Sequence, residues 1–348
     1  MQRELDAAVR DTGVPGALMT VTERSAVTVR SGAGDLRTGR AVPVNGRVRI
    51  GSTTKAFVAT VVLQLVGEGD VVLDAPVERY LPGVVRGSGG DGRKVTVRQL
   101  LQHTGHLPDP GRLLPDGAEW AKQRFRHYDR DQLIRFALDQ KPTTAAWAYT
   151  NTGYLLLGKL IEEVTGARSW REEVRRRITG PLGLSRTTSP DPFAYRVPGP
   201  HPRGYLCGPG FIDVTEQDTG YLDSAGDMVA APAEVNRFWN ALLRGRLLRP
   251  AQLAEMKQMV PAGGAVDEYG LGLEANHLSC GRLVGHAGQM HGYSTLSGML
   301  VDGRGRLGPA FTLSITTEPT GMDDFHRILN LADTVLCHGR TQTGAQRH

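Results

Sequence analysis

Gly51-Ser52-Thr53-Thr54-Lys55 runs without a break into Ala56-Phe57-Val58-Ala59-Thr60-Val61-Val62-Leu63-Gln64-Leu65, and this stretch decides the rest. A helix beginning at Ser52 carries apolar side chains on nearly every side, the pattern of a helix buried in a large core. Gly67 and Gly69 mark its end. Ser52 and Lys55, at i and i+3, share one face, so the lysine amine can reach the serine hydroxyl and accept its proton. Burial disfavours the ammonium and lowers its pKa towards that of a working base. A serine at a helix start also brings its own backbone N–H near a developing oxyanion. Ser-x-x-Lys alone has a plainer reading, an N-cap serine with a surface lysine, but a helix that is apolar all round offers that lysine no surface.

Two further motifs lie downstream. Tyr149-Thr150-Asn151 sits on the loop entering the amphipathic run Tyr154 to Val164, which stops at Gly166. Alternate residues of an extended loop point the same way, so Tyr149 can relay a proton to a leaving group while Asn151 bonds a substrate carbonyl or Lys55. His286-Ala287-Gly288 follows the strand-like Arg282-Leu283-Val284-Gly285, and Gly288 lets a substrate backbone approach closely. A similar His103-Thr104-Gly105 follows a helix-like run instead and reads as a structural turn.

Outward from these motifs, β-rich runs at residues 16–22 and 26–30 suggest a hairpin, and strand-like runs recur at Leu271-Gly272-Leu273, Arg282 to Val284, Leu296 to Val301 and Ala310 to Thr316. Between them the pattern is helical, at Thr96 to His103, Asp131 to Leu138, Thr152 to Thr165 and Trp170 to Ile178, and helices follow at 233–243, 251–259 and 323–336. The expected organisation is α/β (α+β). Residues 1–73 and 225–348 form an antiparallel sheet flanked by helices, and residues 74–224 form an inserted all-helical domain.

With 41 basic against 36 acidic residues scattered along 348, the net charge of +5 forms no nucleic-acid track. The densest run, Arg175-Arg176-Arg177, follows Glu172-Glu173 and reads as a solvated face of mixed charge. No apolar stretch is long enough for a membrane span, and no signal-peptide core follows Met1. Cys207, Cys280 and Cys337 lack metal-ligand spacing, and no cofactor is implied. The expected partner is a small-molecule or peptide substrate.

In this order and spacing the three motifs resemble the serine β-lactamase and penicillin-binding-protein superfamily. The chain is similar in particular to actinomycete D-alanyl-D-alanine carboxypeptidases and class C β-lactamases, through Val14-Pro15-Gly16-Ala17, Leu63 to Gly69, Val97 to Leu101, Ser224-Ala225-Gly226-Asp227 and Tyr269-Gly270-Leu271-Gly272-Leu273. The resemblance implies a β-lactamase/transpeptidase-like fold with a cleft between the lobes. Ser52 would be acylated, Lys55 and Tyr149 would be a coupled acid/base pair, and the N–H groups of Ser52 and a residue just beyond Gly288 would hold the oxyanion. Asn151, Tyr221, Glu274, His286, Ala287, Gly288 and Gln289 fall at substrate-binding positions. A disulfide between Cys280 and Cys337 is implied too, which favours export.

Two departures bear on substrate. Ala287 and Gln289 stand where the carboxypeptidases have threonines, and Glu274 stands where they have the arginine that holds the substrate's terminal carboxylate. Exchanging a guanidinium for a carboxylate turns attraction for that anion into repulsion. The expectation is therefore an acyl-serine hydrolase of amides or esters with a neutral or cationic leaving group, such as a D-amino-acid amide, ester or blocked peptide. The alternatives are a carboxypeptidase clamped by Arg282 or another distant basic residue, a biosynthetic acyltransferase, or a silent penicillin-binding sensor.

Overall fold

The computed structural model describes residues 1–115, 117–208, 210–318 and 321–338, and among these nine strands form one antiparallel sheet. Its order is Val260–Pro261, Glu268–Tyr269, Glu274–Leu278, Gly281–Met290, Tyr293–Asp302, Leu307–Ile315, Gly16–Thr22, Ala26–Asp35 and Arg40–Ala41. Both chain ends therefore share the sheet. They meet where Gly16–Thr22 pairs with Leu307–Ile315, from Ala17 opposite Ile315 to Thr22 opposite Ala310.

Strand alternation divides the core. Leu283, Leu296, Leu300, Phe311 and Leu313 face the helices Gln2–Thr12 and Met322–Leu336, which cover one side through Leu5, Leu331 and Leu336. Val284, Tyr293 and Met299 face the other side, against Pro232–Leu243 and Thr54–Glu68. There Phe57 stacks on Phe238 with ring centres 3.7 Å apart, and Trp239 Nε1 donates to Ser297 Oγ at 3.0 Å. The same core continues into Leu155, Leu160 and Trp170 of the helices between. The helix Thr54–Glu68 is thus enclosed on all sides, with Lys55, Phe57, Val61 and Val62 fully buried, and ends on Gly69 at φ 92°.

Several local expectations need correction. The α-helix starts at Thr54; Ser52 sits on a tighter 3₁₀ turn, Gly51–Thr53, closed by Thr54 Oγ1 donating to Gly51 O at 2.7 Å. Leu271-Gly272-Leu273 is no strand but a bend between two short ones, because Gly272, at φ 78°, is pressed against the helix Thr54–Glu68. A Cβ there would lie 2.5 Å from that of Ala59. Arg175–Thr179 continues the helix Trp170–Val174 as one wide turn. Its charges are docked: Arg176 and Arg177 pair with Glu173, and Arg177 also with Glu68 at the end of the helix Thr54–Glu68.

Cys280 and Cys337 are bonded, tying a hairpin turn to the end of the last helix with their Cα atoms 5.5 Å apart. No helix among the described residues is long and apolar enough to cross a membrane.

Candidate active site

Lys55 Nζ lies 3.0 Å from Ser52 Oγ, 2.8 Å from Asn151 Oδ1 and 2.8 Å from the Ala225 carbonyl. Two of these partners only accept hydrogen bonds. A neutral amine has two N–H groups to give them and one lone pair left, and only the serine hydroxyl can donate to that lone pair. Burial drives the lysine in this direction, lowering its pKa to about 7 against the opposing pull of Asp109 and Glu274. The cluster is therefore wired for Ser52 to donate to Lys55.

Tyr149 completes it. Its pKa stands well above the ordinary phenol value, chiefly from desolvation and then from Glu274, with Ser52 pulling the other way. It is a protonated phenol at neutral pH. Lys55 Nζ lies 4.8 Å from its ring centre, and His103 packs against the ring at 4.3 Å. His103 caps the helix Val97–Gln102 at φ 61°, so His103-Thr104-Gly105 is a turn as expected, but its ring also forms part of the catalytic wall.

Residues 103–111 grip the Tyr-x-Asn loop. Ala148 N–H donates to His103 O at 3.0 Å, and the hydroxyls of Thr150 and Thr152 donate to Pro108 O at 3.2 and 2.6 Å. Asn151 N–H donates to the Asp109 carboxylate at 2.5 Å, which also takes Gly111 N–H at 2.8 Å. Asp109 and the Ala225 carbonyl were not foreseen. Asp109-Pro110-Gly111 has the form of a capping turn, but nothing in the sequence links it to a motif 42 residues away, and a backbone carbonyl leaves no side-chain signal.

The third motif lies on the strand Gly281–Met290. Its neighbour Glu274–Leu278 pairs only as far as Gly285, leaving Ala287, Gly288 and Gln289 as a free edge beside Ser52. A Cβ on Gly288 would lie 2.0 Å from Ile50 O and 3.0 Å from Ser52 N, and one on Gly51 would lie 2.6 Å from Gln289 N. The two glycines thus allow the nucleophile turn to close on the strand, which brings the backbone N–H groups of Ser52 and Gln289 to one place.

His286 and Tyr221, expected at the substrate, are instead buried in the walls. His286 Nε2 meets the Tyr269 hydroxyl at 2.9 Å, and its Nδ1 lies 3.2 Å from Glu274 Oε1. Burial lowers its pKa to about 3, so it stays neutral. Tyr221 donates to Gln217 Oε1 at 3.2 Å and packs on Trp120 and His291. Strand alternation turns His286 into the sheet face packed on the helix Thr54–Glu68, where it meets Tyr269, whereas Tyr221 sits in a turn held by Gln217.

Glu274 Oε2 accepts Ala287 N–H at 2.7 Å. Only 4% exposed, it has its pKa pushed up to about 8 by desolvation, with Ala287 N–H and Lys55 opposing. At neutral pH it is largely a carboxylic acid. The expected repulsion of a substrate carboxylate is therefore weaker than a full charge would give, and the absence of a cation does more. A cavity of 270 Å³ adjoins Ser52, Tyr149, Glu274, Ala287, Gly288 and Gln289, and none of its described lining residues is basic.

The Beta-lactamase family profile matches residues 1–334. Penicillin-binding protein 4 of Amycolatopsis lactamdurans is 30% identical over 278 residues, covering 77% of this chain and 71% of that protein. Other curated relatives are longer, the chain spanning 44% of one and 62% of another. Among solved structures, a D-stereospecific amidohydrolase from Streptomyces sp. superposes with a TM-score of 0.85 at 34% identity, covering 97% of this chain and 98% of that one. The D-amino acid amidase of Ochrobactrum anthropi SV3 gives 0.84 at 27% identity, with 98% of each chain covered. With the profile spanning nearly the whole sequence and the fold matching end to end, the chain belongs to the Beta-lactamase family and is a serine hydrolase.

Proposed function

We propose that the chain cleaves amides or esters of D-amino acids, with a neutral or cationic leaving group, through an ester on Ser52. The observation that carries this is the Ser52, Lys55 and Tyr149 cluster opening onto a cavity whose described lining holds no cation and one buried carboxyl. The likeness to a D-stereospecific amidohydrolase over 97% of the chain supports the choice of substrate.

Neutral Lys55 takes the Ser52 proton as Oγ attacks the carbonyl carbon. The oxyanion is held by the N–H groups of Ser52 and Gln289, an electrostatic contribution of about 3–4 kcal/mol per donor in comparable sites. Tyr149 gives its proton to the leaving nitrogen or oxygen as that bond breaks, and Lys55 returns a proton to Tyr149. A water then loses a proton to the same pair, attacks the ester, and Ser52 leaves with the proton restored. The lobe of residues 1–73 and 225–348 supplies Ser52, Lys55 and Gln289; the lobe of residues 74–224 supplies Tyr149 and Asn151.

The carboxypeptidase alternative is less well supported, since Arg282 is paired with Glu268 at 2.6 Å and no basic residue is among the described residues lining the cavity. The Cys280–Cys337 bond favours an oxidising compartment for the protein.

The test is intact-protein mass spectrometry and turnover with a β-lactam, a D-alanine ester, a D-alanine amide and a D-alanyl-D-alanine peptide, beside Ser52→Ala. Serine-dependent turnover of ester and amide but not of the free-carboxylate peptide is expected. Efficient cleavage of that peptide would overturn the leaving-group assignment. An adduct that turns over only when an acceptor amine is added would make the protein an acyltransferase, and a lasting adduct with no turnover would make it a sensor.

A further inference from the structure

Beyond Ser52 the cavity does not stop at the strand edge but passes round it. On Gly281–Met290, Val284, His286 and Gly288 turn towards the nucleophile helix, while Leu283, Ala287 and Gln289 turn towards the side covered by the last helix. The 270 Å³ cavity is lined by Ser52, Tyr149 and Gly288 at one end and by Leu296, Leu313, Ile315, Phe325 and Ile328 at the other. Ala287 stands at the crossing, where any larger side chain would narrow the passage.

A second cavity, of 390 Å³, shares Leu313, Ile315 and Ile328 with the first and continues beneath the last helix to Val9 and Leu5 of the first, with Asp11, Glu318, Arg327 and Asn330 on its outer wall, so the apolar part is the near chamber and the junction. Protein interiors are normally filled, so an apolar trough that begins at a reactive serine is out of keeping with ordinary core packing. Two buried polar atoms on the wall of the first cavity have no hydrogen-bond partner, Trp147 Nε1 near Ser52 and the hydroxyl of Ser294, which is 5% exposed.

The placement of Glu274 tells which half of the substrate lies there. It binds Ala287 N–H and lines the same cavity as Tyr149, the residue that protonates the departing atom. Tyr149, Glu274 and Ala287 therefore mark the leaving-group end of the cleft, and the trough opens at that end.

We propose that this trough seats the leaving group, so that the enzyme prefers esters and amides of apolar alcohols and amines over primary amides and methyl esters. The inference rests on the Ser52 acyl-enzyme reading. In the step it concerns, the Tyr149 proton goes to the alcohol oxygen or amine nitrogen, the acyl C–O or C–N bond breaks, and the neutral alcohol or amine departs along apolar walls. Each methylene that enters the trough is expected to raise kcat/KM about three- to fourfold until the near chamber is full.

The experiment uses the full chain and D-alanine methyl, ethyl, butyl, hexyl and benzyl esters. A rising series is expected. Ile328→Trp, which fills the junction of the two cavities, should lower the hexyl-to-methyl ratio about tenfold, and Ile328→Ala should move the optimum to a longer chain, with thermal melting confirming that both fold. A flat series in a protein that turns over its esters through Ser52, or an unchanged ratio in a folded Ile328→Trp, would overturn the inference. Titration of Ser52→Ala with hexylamine and benzylamine separates the two claims. Binding weakened by Ile328→Trp supports the trough even without turnover, and no binding to Ser52→Ala sinks it whatever the esters do.

Discussion

Two buried polar clusters lie on either side of the segment Asp223 to Asp227, and they meet the cost of burying charge in opposite ways. On one side Arg130 pairs with Glu162 at 3.0 Å, and Arg171 pairs with Asp223 at 3.0 Å and with Asp227. Trp170 Nε1 adds a hydrogen bond to Asp223 at 2.9 Å. Burial opposes the ionisation of Asp223, but Arg171 and Arg130 outweigh it and hold its pKa below the ordinary value. Two guanidiniums face three carboxyls, and the surplus one, Asp227, is the one that burial pushes up to about 7. On the other side Lys55, Glu274 and His286 face no guanidinium, and burial outweighs the pull they exert on one another. Their pKa values are driven to about 7, about 8 and about 3, so each tends to its neutral form near pH 7. The lesson is that pairing yields a fixed strut, whereas neutralisation leaves a lone pair and a proton available for chemistry. The strut serves the chemistry, because the carbonyl of Ala225, in the segment it holds, is one of the two acceptors that fix Lys55.

The comparison breaks most visibly at Lys55. Lys55→Met is expected to lower kcat/KM about 10⁴-fold, measured on an ester that wild type turns over. The same variant should abolish the pH dependence that the buried amine imposes. With a folded pKa of about 7 and an unfolded one near the ordinary lysine value, the unfolded chain binds the extra proton between the two, so stability falls as pH drops from about 10 to about 7. Relative to wild type, Lys55→Met should gain stability over that window in denaturant titrations. A constant difference would mean that Lys55 is charged in the fold.

Next in size, Arg171→Met leaves Asp223 and Asp227 buried with too little positive charge and should cost about 3–5 kcal/mol of stability by urea unfolding. A loss below about 1 kcal/mol would remove the distinction between strut and reactive cluster. Replacing both Cys280 and Cys337 by serine, away from either cluster, should cost up to about 4 kcal/mol for a closed loop of this length. Ser52 acylation should be retained. The smallest effect is on the acid limb of the pH–rate profile, which should fall near pH 7 as Lys55 protonates. Asp109→Asn removes the larger of the two carboxylate terms that raise the Lys55 pKa while keeping an acceptor for Asn151 N–H, so the limb should move to lower pH. A limb that stays in place would mean that Asp109 acts only through the position of Asn151.

Much of the site was legible because its parts are local. Ser52 and Lys55 are one helical turn apart, and the unbroken apolar run around them required a buried helix, hence a buried lysine. Tyr149 and Asn151 precede a strongly patterned helix, and the glycines at 51 and 288 stand where backbone segments nearly touch. His286 was misplaced because strand alternation, which the sequence around Ala287 and Gly288 does not reveal, turns it towards Tyr269. Glu274 lines the cavity beside Ser52, but the charge the sequence suggested for it is largely removed by burial.

By itself, then, the sequence determined the family, the sheet built from both chain ends, and the contact of Ser52 with a buried Lys55, because each rests on periodicity, on linked motifs or on residues within one turn of each other. Only the tertiary structure decided that Asp109 and the Ala225 carbonyl hold the machinery, that Glu274 and His286 are neutral, and that an apolar trough leads away from Ser52. Those properties depend on desolvation and on contacts between segments far apart in the chain, and neither has a pattern in the order of the residues.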